Sequence, residues 1–152
     1  MYQRILVPVD DSAASQRGLR EAIGLARDQR AALHLVHVID SFMPMVDPAF
    51  WPNLTDLNRG LKGSAEALLA KAAGEAKQAG VTTATEVRET LDNRAASAIV
   101  AAARDAGCDL IVMGTHGRRG ASHLVLGSDA EAVLKTSPVP VLLVRTPEGS
   151  SR

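Results

Sequence analysis

The apolar positions along this chain change their period repeatedly. "RILVPVD" at residues 4–10 is a short apolar run that a polar cluster ends, as is typical of a strand buried on both faces. From about Ser15 to Arg30 the apolar residues instead recur at helical spacing, which predicts an amphipathic helix with Ser12 as a candidate cap. The two patterns alternate along the chain.

This alternation predicts a βαβαβαβαβ order. Strand patterns and helical patterns follow one another at 4–10, 15–30, 32–40, 61–76, 82–90, 95–106, 109–115, 128–136 and 139–145. Strands joined through helices of this length form right-handed crossovers in a parallel sheet. We therefore predict an α/β fold: a single, doubly wound, five-stranded parallel sheet with helices on both faces. The more polar third strand is expected near an edge.

Glycine and proline mark the breaks in this pattern. Gly80 and Gly107 follow the second and third helical patterns, where glycine commonly closes a helix. The segment "SFMPMVDPAFWPNLTD" at residues 41–56 carries three prolines, which predicts that it has no regular structure. Unstructured segments of this length in compact domains often have a function.

Composition limits the partners and the compartment. The 152 residues are 46% apolar and 22% charged, with 17 basic and 17 acidic side chains, so we expect one globular domain over residues 1–147 and a short polar tail at 148–152. The balanced charge favours no nucleic-acid partner. No run approaches the roughly 20 apolar residues of a membrane span, and Cys108 has no second cysteine to pair with. We therefore expect a cytoplasmic protein.

Two loops are candidates for a binding site. In doubly wound sheets, ligands bind beyond the carboxyl ends of the strands, where the strand order reverses. This rule selects "PVDDS" after the first strand and "GTHGRRGASHLVLGS" after the fourth. Glycines at 114, 117 and 120 can turn successive N–H groups inward, and Gly127 and Ser128 then open a helix whose N-terminus favours phosphate. The same glycines would also suit a tight strand-to-helix connection.

The spacing Gly114-x2-Gly117-x9-Gly127-Ser128 resembles the ATP-binding signature G-x2-G-x9-G-[ST] of the universal stress protein family. "YQRILVPVDDSAAS", "LHLVHVID" and "SPVPVLLVR" are similar to that family's first, second and last strand regions. The resemblance implies a Rossmann-like, adenine nucleotide alpha hydrolase-like fold that binds ATP with Mg²⁺ or Mn²⁺. It also implies a homodimer through the last strand, 139–145, although Pro140 is expected to remove one donor from that edge.

The resemblance further implies where each part of the nucleotide lies. Asp10 and Val38 would contact the adenosine, and Gly127 and Ser128 would hold the distal phosphates. Together with neighbouring residues of the same two loops, these positions form the candidate nucleotide site, which consists of Pro8, Val9, Asp10, Val38, Met113, Gly114, Thr115, His116, Gly117, Arg118, Gly127, Ser128 and Asp129.

Two features near the phosphates leave alternatives open. Asp129 places a carboxylate where the family often has an uncharged residue, so it would repel a phosphate unless it points away or helps to hold a cation. Arg118 and the neighbouring Arg119 either close over the phosphates or stay in solvent.

Other chemistry is less well supported by the sequence. His34 and His37 lie three apart on a predicted strand, so their side chains point to opposite faces and cannot share a metal; we expect both to be structural. Cys108 has no nearby histidine to activate it. Asp11 suits turn or helix-entry chemistry.

Three functions follow as hypotheses. The first is an ATP-binding regulatory module in which nucleotide occupancy changes conformation or partner binding, with at most slow hydrolysis or self-phosphorylation, for example at Ser128. The second is an ATP-dependent enzyme acting on a small substrate under residues 41–56. The third is a dimeric interaction protein with a vestigial nucleotide site.

Overall fold

The strands form one parallel sheet with helices packed on both faces. The computed structural model describes residues 1–41, 49, 51–92, 94–116 and 126–146. Within these ranges the elements are β1 (Arg4–Pro8), α1 (Ala13–Gln29), β2 (Ala32–Asp40), α2 (Trp51–Gln78), β3 (Thr83–Thr90), α3 (Ala95–Asp105), β4 (Leu110–Gly114), α4 (Ser128–Thr136) and β5 (Val141–Val144). The predicted element order and fold class are confirmed.

The strand order is β3-β2-β1-β4-β5, and every neighbouring pair is parallel. From β1 the chain first builds outward through β2 to β3, and α3 then carries it back across the sheet to β4. The order therefore reverses between β1 and β4, whose carboxyl ends border a crevice. As expected, the polar strand β3 lies at an edge.

Side chains that alternate along the central strands fill two cores. Ile5 and Val7 of β1, and Val9 directly after it, face the layer that contains α1 and α2. Leu6, between them, faces α3 and α4 together with Ile111 of β4. Because both faces are covered, β1 reads as a continuous apolar run rather than an alternating one.

Helix α2 begins ten residues before the predicted position. The expectation that 41–56 has no regular structure is wrong for residues 51–56, which form the first turns of α2. Pro52 is tolerated there because the first turn of a helix needs no intrahelical N–H partner. Residues 42–48 and 50 of this segment lie outside the described part of the chain.

The helix ends follow the predicted chemistry. Ser12 caps α1, since its Oγ accepts the N–H of Ser15 at 3.1 Å. Gly80 and Gly107 take φ values of 77° and 64° directly after α2 and α3, as expected for glycines that close helices. None of the described helices has both the length and the apolar character needed to cross a membrane.

The outer edge of β5 keeps its backbone donors. The Pro140 carbonyl accepts the Ile111 N–H of β4 at 3.0 Å. The backbone groups of Pro140 therefore point toward β4 and not toward the free edge of the sheet. Because backbone groups alternate along a strand, those of Val141 and Leu143 point outward. The expectation that Pro140 removes a donor from the free edge is therefore wrong.

Substitution of Gly80 by alanine should destabilise the protein by about 1 kcal/mol, because an L-residue with positive φ is strained. A Cβ at Gly80 would meet no atom within 4 Å, so the cost comes from the backbone alone. Gly74, inside α2, has equal space and no positive φ, and Gly74→Ala should instead stabilise by about 0.5–1 kcal/mol. Urea unfolding of both variants measures the contrast; effects of the same sign would contradict it.

Candidate functional site

A cavity of about 740 Å³ lies at the carboxyl ends of the central strands, where the strand order reverses. Its volume falls within the roughly 300–1,000 Å³ of small-molecule pockets. The strand ends form its floor, and α2 and the start of α4 form walls. Its lining includes these residues that the sequence assigned to a nucleotide site: Pro8, Val9, Asp10, Val38, Met113, Gly114, His116, Gly127, Ser128 and Asp129.

Of the three remaining predicted site residues, the structure describes Thr115. Thr115 is buried and does not line the cavity; its Oγ1 is 3.0 Å from Nδ1 of His116. Gly117 and Arg118, like the neighbouring Arg119, fall outside the described residues. The part of the glycine-rich loop that can be placed is therefore its beginning and its end.

Asp10 lies at the turn between β1 and α1, and local hydrogen bonds orient it. Its backbone N–H donates to Oγ of Ser15 at 2.8 Å, and its Oδ1 accepts the N–H of Ser12 at 2.7 Å. The second bond closes a short side-chain turn of the kind that aspartate often forms. Ser12, the predicted cap of α1, and Ser15 thus also hold Asp10 at the cavity.

Gly114 has a packing role. A Cβ at this position would lie 2.6 Å from the carbonyl oxygen of Ala14, closer than any side chain tolerates. Gly18, one turn further along α1, also lies close to β4, since its own Cβ would be 3.1 Å from the Gly114 nitrogen. The missing side chains therefore make room for α1. Contact between Gly114 and a ligand stays a prediction.

Gly127 joins the end of β4 to the start of α4. Its N–H donates to the Thr115 carbonyl at 2.8 Å, and a Cβ there would lie 2.9 Å from the same oxygen. This contact places the first turn of α4, with the exposed residues Ser128 and Asp129, at the cavity. The opening N–H groups of a helix carry partial positive charge and favour anions.

Carboxylates dominate the charge of the cavity. Among the described lining residues, the acidic ones are Asp10, Asp11, Asp40 and Asp129, and none is lysine or arginine. A polyphosphate there would meet attraction from the α4 N-terminus and repulsion from carboxylates. Within the described residues, no three histidine, cysteine or acidic side chains group into a preformed metal site. Mg²⁺, however, usually needs only one or two carboxylates beside a substrate's phosphates.

Sequence reasoning missed the wall of the cavity that His37 and α2 form. Nδ1 of His37 donates to the Val9 carbonyl at 2.6 Å, and the residue lines the cavity. The sequence position of His37, next to Val38 near the carboxyl end of a predicted strand, indicated that it could lie at the site. The α2 residues that line the cavity are Leu61, Ser64, Ala65 and Leu68. Their helical spacing indicated only a buried stripe.

His34 is separated from His37, as predicted, and belongs to an ionic network on β2, β3 and α3. Its Nε2 lies 2.8 Å from Glu86, which is bonded to Arg88 at 2.5 Å, and Arg88 reaches Asp105 at 2.9 Å. Burial by itself would raise the pKa of Glu86, but the hydrogen bonds from His34 and Arg88 outweigh it and hold that pKa below its usual value.

Cys108 is unsuited to nucleophilic chemistry. It is buried, and that burial raises the pKa of its thiol to about 11. The thiol is therefore protonated at neutral pH, whereas the thiolate is the reactive form.

The sheet order and the cavity at its reversal define a doubly wound α/β domain with a pocket at the carboxyl ends of its central strands. The chain matches the universal stress protein family over residues 1–145 and belongs to that family. It is 33% identical over 150 residues to the universal stress protein MJ0531 of Methanocaldococcus jannaschii, covering 97% of this chain and 85% of that protein.

Solved structures are similar over nearly the whole chain. The universal stress protein UspA from Lactobacillus plantarum superimposes with a TM-score of 0.83 at 27% identity, covering 95% of this chain and 98% of that one. A universal stress protein solved in complex with cAMP has a TM-score of 0.64 at 28% identity, covering 96% of this chain and 98% of that one.

Glu86 should make stability depend on pH. Because its pKa is lowered in the folded state, its stabilisation is complete above its unfolded pKa, near 4.5, and is lost as the pH falls through the folded value. Glu86→Gln should therefore lower the free energy of unfolding at pH 7, and the difference from the natural protein should shrink below about pH 4.5. Denaturant unfolding across pH measures this, with Glu66→Gln on the exposed face of α2 as control. A loss of unfolding free energy in Glu86→Gln that does not change with pH would contradict the stabilising role of the Glu86 carboxylate.

Proposed function

We propose that this chain is an ATP-binding universal stress protein, of the subgroup with the G-x2-G-x9-G-[ST] signature, in which nucleotide occupancy changes conformation or partner binding. One observation carries the proposal: the cavity at the strand reversal is bordered by the Asp10 turn on one side and by the α4 N-terminus on the other. These two features suit the two ends of a nucleotide.

The adenosine would lie toward β1 and β2. Val38 offers a half-buried apolar wall, and Asp10 can accept hydrogen bonds from ribose hydroxyls or from the adenine amino group. The related universal stress protein solved with cAMP supports an adenine nucleotide as the ligand.

The phosphates would lie toward the start of α4. Ser128 is exposed in its first turn, where the helix dipole favours negative charge. The carboxylates of the lining make a divalent cation, Mg²⁺ or Mn²⁺, a natural companion of the phosphates. Asp129 is the residue that would hold the cation, and the cation would neutralise the repulsion between the phosphates and the carboxylates of the lining. By resemblance, Gly117 and Arg118 would complete this end.

We propose regulatory binding of a nucleotide, rather than efficient ATP hydrolysis, as the function. Phosphoryl transfer requires a positioned metal, charge stabilisation on the transferred group and an oriented nucleophile at once. The described lining supplies contacts for a bound nucleotide, which a regulatory module needs. Hydrolysis or self-phosphorylation is proposed only as a slow accompanying reaction.

We also propose a homodimer through β5. At this edge the side chains are apolar, with Leu142 39% exposed, and the backbone groups of Val141 and Leu143 point outward. The opposite edge, β3, carries the ion pair of Glu86 and Arg88 instead. An apolar edge with free backbone groups is suited to pairing with a second copy around a two-fold axis.

The nucleotide proposal predicts that Ser128→Glu weakens MgATP binding by about tenfold or more, because the added carboxylate would face the phosphates. The fold should be retained, since acidic residues suit the first turn of a helix. Ser97→Glu adds the same charge to the exposed first turn of α3, away from the lining, and serves as the matched control. Calorimetric titration with MgATP and MnATP gives both affinities. Absence of ATP uptake by the natural protein, or equal effects of the two variants, would refute the proposal.

The dimer proposal predicts that Leu142→Lys shifts the protein toward monomer at micromolar concentration, because it places a charge in an apolar contact. Leu134→Lys changes a leucine that is 50% exposed on α4 and should leave the dimer intact. Light scattering coupled to size exclusion measures the mass of each. A natural protein that is monomeric under these conditions would contradict the proposal.

A further inference from the structure

Two side chains hold the peptide unit between Val9 and Asp10. Its carbonyl, that of Val9, accepts from Nδ1 of His37 at 2.6 Å. Its N–H, that of Asp10, donates to Oγ of Ser15 at 2.8 Å. The two partners come from β2 and α1, so this peptide plane is fixed by side chains of two separate elements. We refer to His37 and Ser15 below as the peptide clamp.

The Asp10 side chain is fixed in turn. Its Oδ1 accepts the Ser12 N–H at 2.7 Å, and the Ser12 hydroxyl accepts the Ser15 N–H at 3.1 Å. Every buried side-chain oxygen of the described residues has a hydrogen-bond partner. Oδ2 of Asp10 makes no hydrogen bond with these residues, so it is not one of the buried oxygens. Oδ2 is therefore accessible, on a residue that lines the cavity.

The clamp also determines which ring nitrogen of His37 carries a hydrogen. A carbonyl oxygen can only accept, so the hydrogen lies on Nδ1. Asparagine at this position can place an amide N–H close to where Nδ1 lies, whereas phenylalanine fills the space of the ring without any donor. These two substitutions separate the hydrogen bond from the packing of the side chain.

We propose that His37 and Ser15 are positioning residues, whose clamp on the Val9–Asp10 peptide holds Oδ2 of Asp10 ready to accept a hydrogen bond from a donor group of the bound nucleoside. The inference rests on the proposed nucleotide function. A carboxylate already fixed in place costs little further ordering when a ligand binds, so the clamp should strengthen the one contact that Asp10 makes. The donor is either a ribose hydroxyl or the adenine amino group.

The clamp itself is tested in the ligand-free protein. Nitrogen-15 NMR should show His37 with its hydrogen on Nδ1. Ser15→Ala should speed hydrogen exchange of the Asp10 amide by at least about tenfold relative to the natural protein, since that amide loses its acceptor. Ser64→Ala, on the α2 wall of the same cavity, should leave the exchange unchanged. A ring without a hydrogen on Nδ1, or equal exchange in the two variants, would overturn the clamp.

The positioning role is tested by discrimination between ligands. Affinities are measured for ATP, for 2′,3′-dideoxy-ATP, which lacks the hydroxyls, and for ITP, which lacks the amino group. The natural protein should prefer ATP over one of these analogues by about tenfold, the usual size of a hydrogen bond to a charged group. The analogue that is disfavoured identifies the donor, and Asp10→Ala should abolish the preference.

The His37 variants then decide whether the histidine acts through Asp10. His37→Phe should reduce the preference toward that of Asp10→Ala, and His37→Asn should retain most of it. His37→Phe combined with Asp10→Ala should discriminate no worse than Asp10→Ala alone. A purely structural histidine would instead weaken all three ligands equally, and that result would overturn the role. Should the natural protein bind none of the three nucleotides, the proposed function and the positioning role both fail, while the NMR results still decide the clamp.

Discussion

The first turn of α1 packs directly against the end of β4, with no side chain between the two backbones. Gly114 and Gly18 permit this contact, since a Cβ on either would meet the backbone of the other element. Because α1 follows β1 after a short turn, the contact also fixes the Asp10 turn beside the end of β4. Gly127, bonded to Thr115, brings the start of α4 to the same place. The candidate site thus depends on backbones that approach closely in an otherwise close-packed fold.

The site that results combines two opposing electrostatic features. The N-terminus of α4 favours an anion, whereas the described lining carries aspartates from the ends of β1 and β2 and from α4. A ligand with an anionic tail and a bound divalent cation satisfies both, which is why the proposed nucleotide is a metal complex. A cation between the phosphates and the wall would also make Asp129, which is unusual by resemblance, compatible with the proposed ligand.

Strand β2 serves the two faces of the sheet differently. His34 joins the ionic network with Glu86 and Arg88 that covers the sheet beside α3, while His37 reaches across to the end of β1 at the cavity. Because side chains alternate between the faces of a strand, two histidines three residues apart point to opposite faces of the sheet. A comparable difference distinguishes the edges: β3 carries ion pairs and β5 carries apolar side chains, so the two edges are suited to solvent and to a partner chain respectively.

The sequence by itself determined the order of the elements, the parallel sheet, the end of the sheet at which the cavity lies, and the start of α4 at Ser128. These features depend on local periodicity, helix-ending glycines and the handedness of crossovers, all of which can be read within short windows. Tertiary structure alone decided that His37 faces the cavity and that Gly114 accommodates α1. Each of these depends on which backbone or side chain meets another far along the chain, and local patterns do not contain that information because they report only period and burial.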